Sequence, residues 1–384
     1  MMKILLDGSS AVIGVRAVKR YTASLIREFT SFNTKDHFKI LLNYFRGSSE
    51  IIDLLIKEKS NFSKIRYPIP RRLSLRLWHD FNFPPIDILT GKVDIFHSLG
   101  DDCPPLRSGK YIVTLHGVTY LEVPELIDPG LVRVKKAWLS RMVKRADFYI
   151  SVSEYTKNEF LKHFSHIEPK RVNVIPLGVD QKFRTIEQDT VKRQLFQRYG
   201  IKNPYVLFVG GIEPRKNVKN ILRGFGEISE KYSELDLVLA GGAEAKYLSS
   251  LYELINELGL HSRIKFIGYI EQEVDDLPIL YNGAECFVFP SFSEGWTSPP
   301  LEAMASGTPV ITSNLSSLPE TVGDAALLVN PDDYEEIGAA LDRLISDSDL
   351  RRTLIKKGLH HAAQFTWKRC AQQTYKFYKN IAGL

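Results

Sequence analysis

Cysteine is scarce in this chain: 384 residues hold only Cys103, Cys286 and Cys370. An odd number of widely spaced thiols makes neither a disulfide framework nor a zinc cluster, and it fits a reducing, cytoplasmic setting. Long apolar runs are missing too. No stretch approaches the roughly 18 uninterrupted apolar residues of a membrane-spanning helix. The opening segment Met1–Gly8 is too short for a secretory signal, lacks a small-residue cleavage site, and reads as a first strand. Several motifs are absent as well. Without GxGxxG there is no dinucleotide fingerprint, and without GxxxxGK followed by Ser or Thr there is no P-loop. Without HExxH or CxxC a catalytic or structural metal is not expected.

What is present is ordinary globular composition, 44% apolar and 25% charged. The length suggests two to three domains. Charge is unevenly placed. Residues 1–184 carry 30 Lys and Arg against 19 Asp and Glu, a balance of +11; residues 185–384 carry 21 against 26, a balance of −5. A basic first half points to an anionic partner, with a merely solvated basic face as the plain alternative.

Short apolar runs alternate with amphipathic stretches throughout. Strands are predicted at Lys3–Leu6, Phe38–Leu42, Val93–Phe96, Tyr111–Leu115, Phe148–Val152 and Val172–Ile175. A second set is predicted at Tyr205–Val209, Leu235–Ala240, Ile264–Phe266, Cys286–Phe289, Val310–Thr312 and Ala326–Val329. Helices are predicted between them, among them Val18–Phe29, Val132–Lys144, Val218–Ser229, Ala245–Leu258 and Tyr334–Ser346. This βαβ rhythm predicts two doubly wound α/β domains joined near residues 180–204. Ligands of such sheets bind beyond the carboxyl ends of the strands, and the informative motifs fall there.

The richest is Pro290–Val310. Pro299 and Pro300 suit the start of a helix and Gly307 its end. The amides of Trp296, Thr297 and Ser298 then lie at or just before a helix N-terminus, which can hold a phosphate. Glu294 and Glu302 flank that point and suit hydroxyl recognition on a sugar and a ribose. Read plainly, they are acids complementing a helix dipole. A second motif, Phe208–Asn217, runs a strand into Gly210 and Gly211 and then presents Arg215 and Lys216. Glycines permit close approach and two cations can neutralise a diphosphate; the plain reading is a surface turn. A third strand ends in His116 and Gly117. In a fourth segment, Ala11–Ala17, Gly14 follows the first strand. In a fifth, Arg71–Pro85, basic and aromatic residues interleave. A core-facing helix with snorkelling arginines is favoured there over a membrane-surface helix.

Together these residues resemble the retaining glycosyltransferases of family 4, over nearly the whole chain. The most specific part is Glu294 and Glu302 followed by Ala303-Met304-Ala305-Ser306-Gly307-Thr308-Pro309-Val310. Glu213–Asn217, the His116 strand end, Ser151–Tyr155 and Val174–Asp180 match the family's pattern as well. The resemblance implies the GT-B fold, two facing Rossmann-like domains with an interdomain cleft. Residues 1–183 would bind acceptor and 184–365 the nucleotide sugar, while 366–384 would form a last helix crossing back to the first domain. It further implies that Lys216, helped by Arg215, binds the diphosphate beside Gly211 and that Glu302 binds the ribose. Glu294 and the amides of Gly295, Trp296, Thr297 and Ser298 would bind the donor sugar. His116 would contact that sugar from the other domain, Gly14 would lie near the phosphates, and Tyr269 would lie near the base. Three departures stand out. Gly295-Trp296-Thr297-Ser298-Pro299 replaces the common Gly-Phe-Gly-Leu-Pro. Ile212 follows Gly211 where many members carry Arg. Gly14-Val15-Arg16 alters the usual Gly-Ile-Gly-Arg-Tyr loop.

The implied reaction is retaining transfer of a hexose from a GDP- or UDP-linked donor, GDP-mannose favoured, to a glycan or lipid-linked anionic acceptor. His116, Glu294 and Lys216 would be its catalytic residues. Neither metal nor cofactor is implied, nor nucleic acid; peripheral contact of the basic N-terminal domain with the inner membrane face is. Two alternatives stay open: a hydrolysing sugar-nucleotide epimerase, and a catalytically silent sugar-nucleotide-binding subunit. A paired-carboxylate glycosidase fits less well, since it needs no phosphate-binding cations.

Overall fold

The structure, a computed structural model, describes residues 1–13, 16–43, 50–67, 69–270 and 276–384. The chain divides into two compact units. The first comprises Met1–Leu121, Pro129–Gly178 and Trp367–Leu384; the second comprises Glu122–Asp128 and Val179–Thr366. Residues 180–204, expected to join the domains, belong to the second unit and contain a helix, Gln188–Tyr199.

The first unit is built on seven parallel strands: β1 (Lys3–Asp7), β2 (His37–Leu42), β3 (Phe62–Arg66), β4 (Ile95–Ser98), β5 (Lys110–Leu115), β6 (Phe148–Ser151) and β7 (Val172–Val174). Their order is β3-β2-β1-β4-β5-β6-β7. Strand β3 escaped the sequence reading because Phe-Ser-Lys-Ile-Arg has no buried residue. An edge strand that faces solvent carries little apolar signal. The strand expected at Val93–Phe96 is shifted by two residues, to Ile95–Ser98.

The second unit holds β8 (Tyr205–Val209), β9 (Asp236–Ala240), β10 (Ile264–Gly268), β11 (Cys286–Phe289), β12 (Val310–Ser313) and β13 (Ala326–Val329), in the order β10-β9-β8-β11-β12-β13. All pairings are parallel. Every residue of β8, β9 and β11 is buried, as a sheet covered on both faces requires. The helix Val218–Ser229 buries Val218, Ile221, Leu222, Phe225 and Ile228, one stripe at helical spacing.

In each sheet the strand order reverses once, between β1 and β4 and between β8 and β11. Such switch points open a crevice beyond the strand ends. In the second unit, β8 runs out into Gly210–Asn217 and β11 into Pro290–Ser298, so two of the motifs meet at one crevice. A Cβ at Gly241 would stand 1.7 Å from the Gly210 carbonyl oxygen, so the chains leaving β8 and β9 run in contact. Gly241 therefore serves backbone packing, while a Cβ at Gly210 would press on the Phe208 and Phe289 rings at 3.3 and 3.4 Å. Gly211 is the open one: a Cβ there would meet only Glu213, at 4.0 Å.

Candidate active site

The Gly210–Asn217 segment closes on itself as a short 3-10 turn, Pro214–Lys216, and Asn217 then takes a left-handed conformation with φ +61° before the next helix begins. Buried Asn217 donates from Nδ2 to the carbonyls of Pro290 (3.1 Å) and Pro331 (2.6 Å). The Phe292 N–H donates to the Arg215 carbonyl at 3.0 Å. The two loops are thereby laced together, and their charged side chains face one another.

Glu294 is the centre of that arrangement. Its side chain is 8% exposed, and Oε1 accepts from the Lys216 ammonium, from Ser291 Oγ at 2.7 Å and lies 2.9 Å from Arg215 Nη1. Its own N–H donates to Ser316 Oγ at 3.0 Å. Burial opposes a charge on Glu294, but the Lys216 and Arg215 cations outweigh it and hold the carboxyl below the usual carboxylate range. Burial lowers Lys216, against the pull of Glu294. Lys216 is 12% exposed and also lies over the Phe289 ring, 4.8 Å from its centroid.

The plain reading of Arg215 and Lys216 as a solvated surface pair is therefore wrong. Their roles also separate. Arg215 spends its guanidinium on the protein, donating to the Ser293 carbonyl at 2.5 Å and to Glu213 Oε1 at 2.6 Å. Lys216 keeps donor directions beyond its bond to Glu294, since an ammonium has three.

Gly295 to Ser298 follow directly. The helix begins at Ser298 and ends at Ala305, with Thr297 at its N-cap in extended conformation and its side chain making no cap bond. Pro299 and Pro300 remove two first-turn N–H groups, which leaves the donors of Trp296, Thr297 and Ser298 ahead of them. Trp296 packs against Phe365 at 5.4 Å, and its Nε1 is buried with no partner among the described residues. Glu302, one turn in, is buried and accepts from Tyr281 Oη at 3.1 Å. Ser293 Oγ donates to Glu122 at 2.5 Å. Tyr269 stands exposed just past β10.

His116 belongs to the first unit, just beyond β5. Its Nε2 lies 2.8 Å from the Leu99 carbonyl oxygen, and Tyr21 meets the ring edge-on at 5.0 Å. A carbonyl only accepts, so Nε2 carries the proton and Nδ1 keeps its lone pair. Burial lowers the pKa of His116, which favours the neutral ring. Behind it His97 bonds Thr114 Oγ1 (2.8 Å) and Tyr378 Oη (2.5 Å), and burial, aided by His116, pushes His97 down to about 3. Gly14 lies outside the described residues.

The sequence reading missed Asn217, Ser291 and Ser316 as partners of the site. Asn217 closes the Phe208–Asn217 motif, and an Asn ahead of a helix is ordinarily taken for a cap; it instead bridges two loops. Ser316 offers no sequence signal, since its left-handed backbone is not legible from the residue type.

Residues 191–361 match the glycosyl transferases group 1, and residues 46–183 match Glycosyltransferase Family 4. The chain is 32% identical over 280 residues to O-antigen chain mannosyltransferase B of Escherichia coli, an alignment covering 72% of this chain and 71% of that protein. It belongs to the group 1 glycosyltransferases. Its two parallel sheets are those of the GT-B fold. Among solved structures, sucrose-phosphate synthase from Thermosynechococcus elongatus superposes with a TM-score of 0.74 at 22% identity, over 99% of both chains. Anabaena HepE in complex with UDP-glucose superposes at 0.73 and 17%, over 99% of this glycosyltransferase and all of HepE. Among the described residues, no helix is long and apolar enough to cross a membrane.

Proposed function

We propose that this glycosyltransferase moves a mannosyl residue, with retention at the anomeric carbon, from a nucleotide-diphosphate sugar to a glycan or lipid-linked anionic acceptor. The observation that carries the donor site is the buried Glu294–Lys216–Arg215 cluster at the switch point of β8 and β11. A carboxylate held ionised beside a partly free ammonium can accept from sugar hydroxyls while the cation faces a phosphate. The preorganised charge of Lys216, with the amides of Trp296, Thr297 and Ser298, would stabilise the leaving diphosphate. Glu302 would take the ribose hydroxyls and Tyr269 would lie beside the base.

In the reaction, the bond from the anomeric carbon to the diphosphate oxygen breaks and one to the acceptor oxygen forms. The acceptor proton passes to the departing phosphate. His116, through its Nδ1 lone pair, would accept a hydrogen bond from a donor-sugar hydroxyl. Mannose as the sugar is supported by the name of the E. coli relative, and a nucleotide donor by the UDP-glucose bound in HepE. The basic first half of the chain supports an anionic acceptor and peripheral membrane contact.

Thermal shift with GDP-, UDP-, ADP- and dTDP-sugars, in the absence of metal, tests the reading. Ligand at 100 times its Kd should add about 2.7 kcal/mol of stability. A shift with one nucleotide series, the GDP series expected, supports the donor site, and release of nucleotide with a transferred sugar separates transfer from epimerisation. No shift with any series overturns the assignment.

A further inference from the structure

The interleaved segment Arg71–Pro85 is where structure and sequence reading part. The sequence pattern favours a core-facing helix, yet on the helix Arg71–Asp80 only Ser74 and Trp78 are buried. Trp78 packs inside against Tyr67, ring centroids 4.9 Å apart. Leu73 stands 49% exposed, and just past the helix end Phe81 is 68% and Phe83 55% exposed. Arg72 and Arg76 share the outer face with Leu73, as helical spacing dictates. The acid on that face is Asp80, 3.7 Å from Arg76.

A second helix, Pro129–Arg145, ends at the same place. Arg145 Nη2 donates to the Trp78 carbonyl at 2.5 Å and to Asn82 Oδ1 at 2.9 Å. One turn back on the same helix, Arg141 stands close enough to the end of the Arg71–Asp80 helix for its charge to act on His79. Burial first, and then the charges of Arg141 and Arg145, hold that imidazole below its ordinary value.

We propose that this face docks on an anionic lipid bilayer, Phe81, Phe83 and Leu73 entering the headgroup region while Arg72, Arg76 and Arg141 engage lipid phosphates. Aromatic side chains at an exposed tip, flanked by arginines, match the layered chemistry of a membrane surface: apolar inward, cationic at the phosphate level. A protein partner fits less well. A stable protein interface covers about 800 Å² per side around an apolar core, and three apolar side chains separated by charges do not supply one. The proposal deepens the membrane contact inferred above and does not depend on the donor assignment.

Sedimentation with phosphatidylcholine vesicles, with and without phosphatidylglycerol, tests it on the full chain. The parent should bind the anionic vesicles, weaken with added salt, and bind phosphatidylcholine alone about tenfold less. Phe81→Ser/Phe83→Ser and Arg72→Ala/Arg76→Ala should each lose about tenfold in vesicle affinity. Both should keep the parent's unfolding midpoint and nucleotide-sugar shift, because these side chains are exposed and outside the donor site. Failure of the parent to bind, or equal binding by the phenylalanine double variant, overturns the proposal. Vesicle binding without any nucleotide shift would leave the docking face standing and remove the donor site instead.

Discussion

Ser316 Oγ accepts the backbone N–H of Glu294 at 3.0 Å, and it does so from a left-handed backbone, φ +55°. A non-glycine residue there carries strain of about 1 kcal/mol or more. Ser316→Gly should relieve that strain and delete the acceptor together. The expected outcome is an unchanged or higher unfolding midpoint with kcat lowered about tenfold, the scale of a misplaced catalytic group. Ser316→Asn, which tolerates the conformation and offers an amide oxygen, should recover part of the activity. Full activity in Ser316→Gly would show that the bond does not position Glu294.

Glu294→Ala and Lys216→Ala should each reduce turnover by about 10²-fold or more. Each also leaves a buried charge without its main partner, which costs about 3–5 kcal/mol of stability. The two effects can be told apart. Lys216→Met/Glu294→Leu removes both charges and should recover much of the stability while staying inactive. Recovery of turnover in the double variant would contradict the assignment of either residue to the reaction.

The tautomer of His116 can be observed directly. Nitrogen-15 spectra should show a protonated Nε2 and an unprotonated Nδ1 in the neutral ring, and less imidazolium at pH 6.5 than in a free imidazole, which is half protonated there. Donor analogues lacking one hydroxyl at a time should include one whose loss costs the parent activity and costs His116→Phe nothing further. An imidazolium at neutral pH would point to an acid role instead.

His97 predicts a pH dependence of stability. The unfolded side chain binds a proton below about pH 6.5, while the folded one resists it down to about 3. Between those values the unfolded state holds the extra proton, so stability falls as pH falls, by up to about 1.4 kcal/mol per pH unit. Above pH 6.5 the effect vanishes. Denaturant midpoints at pH 7 and pH 5 should differ less in His97→Gln than in the parent. An equal difference in both would place the acid sensitivity elsewhere.

The core strands of both units were legible because parallel strands read as unbroken apolar runs, as in Tyr205–Val209 and Cys286–Phe289. The motif residues Arg215, Lys216 and Glu294 were legible as charges in loops after such strands. That Lys216 and Glu294 touch was not, because 78 positions separate them and the contact exists only once β8 and β11 pair. Phe81 and Phe83 misled in the other direction. An aromatic beside a helix is normally core, yet only Trp78 turns inward.

The helix Trp367–Ile381 belongs to the first unit, where Tyr378 bonds His97 and Tyr375 bonds Asp36 at 2.5 Å. During synthesis the strands of the first unit are made well before these aromatic side chains. The second unit, apart from Glu122–Asp128, is one continuous stretch, all of it made before Trp367. The half of the molecule that is made first is thus the half that is finished last.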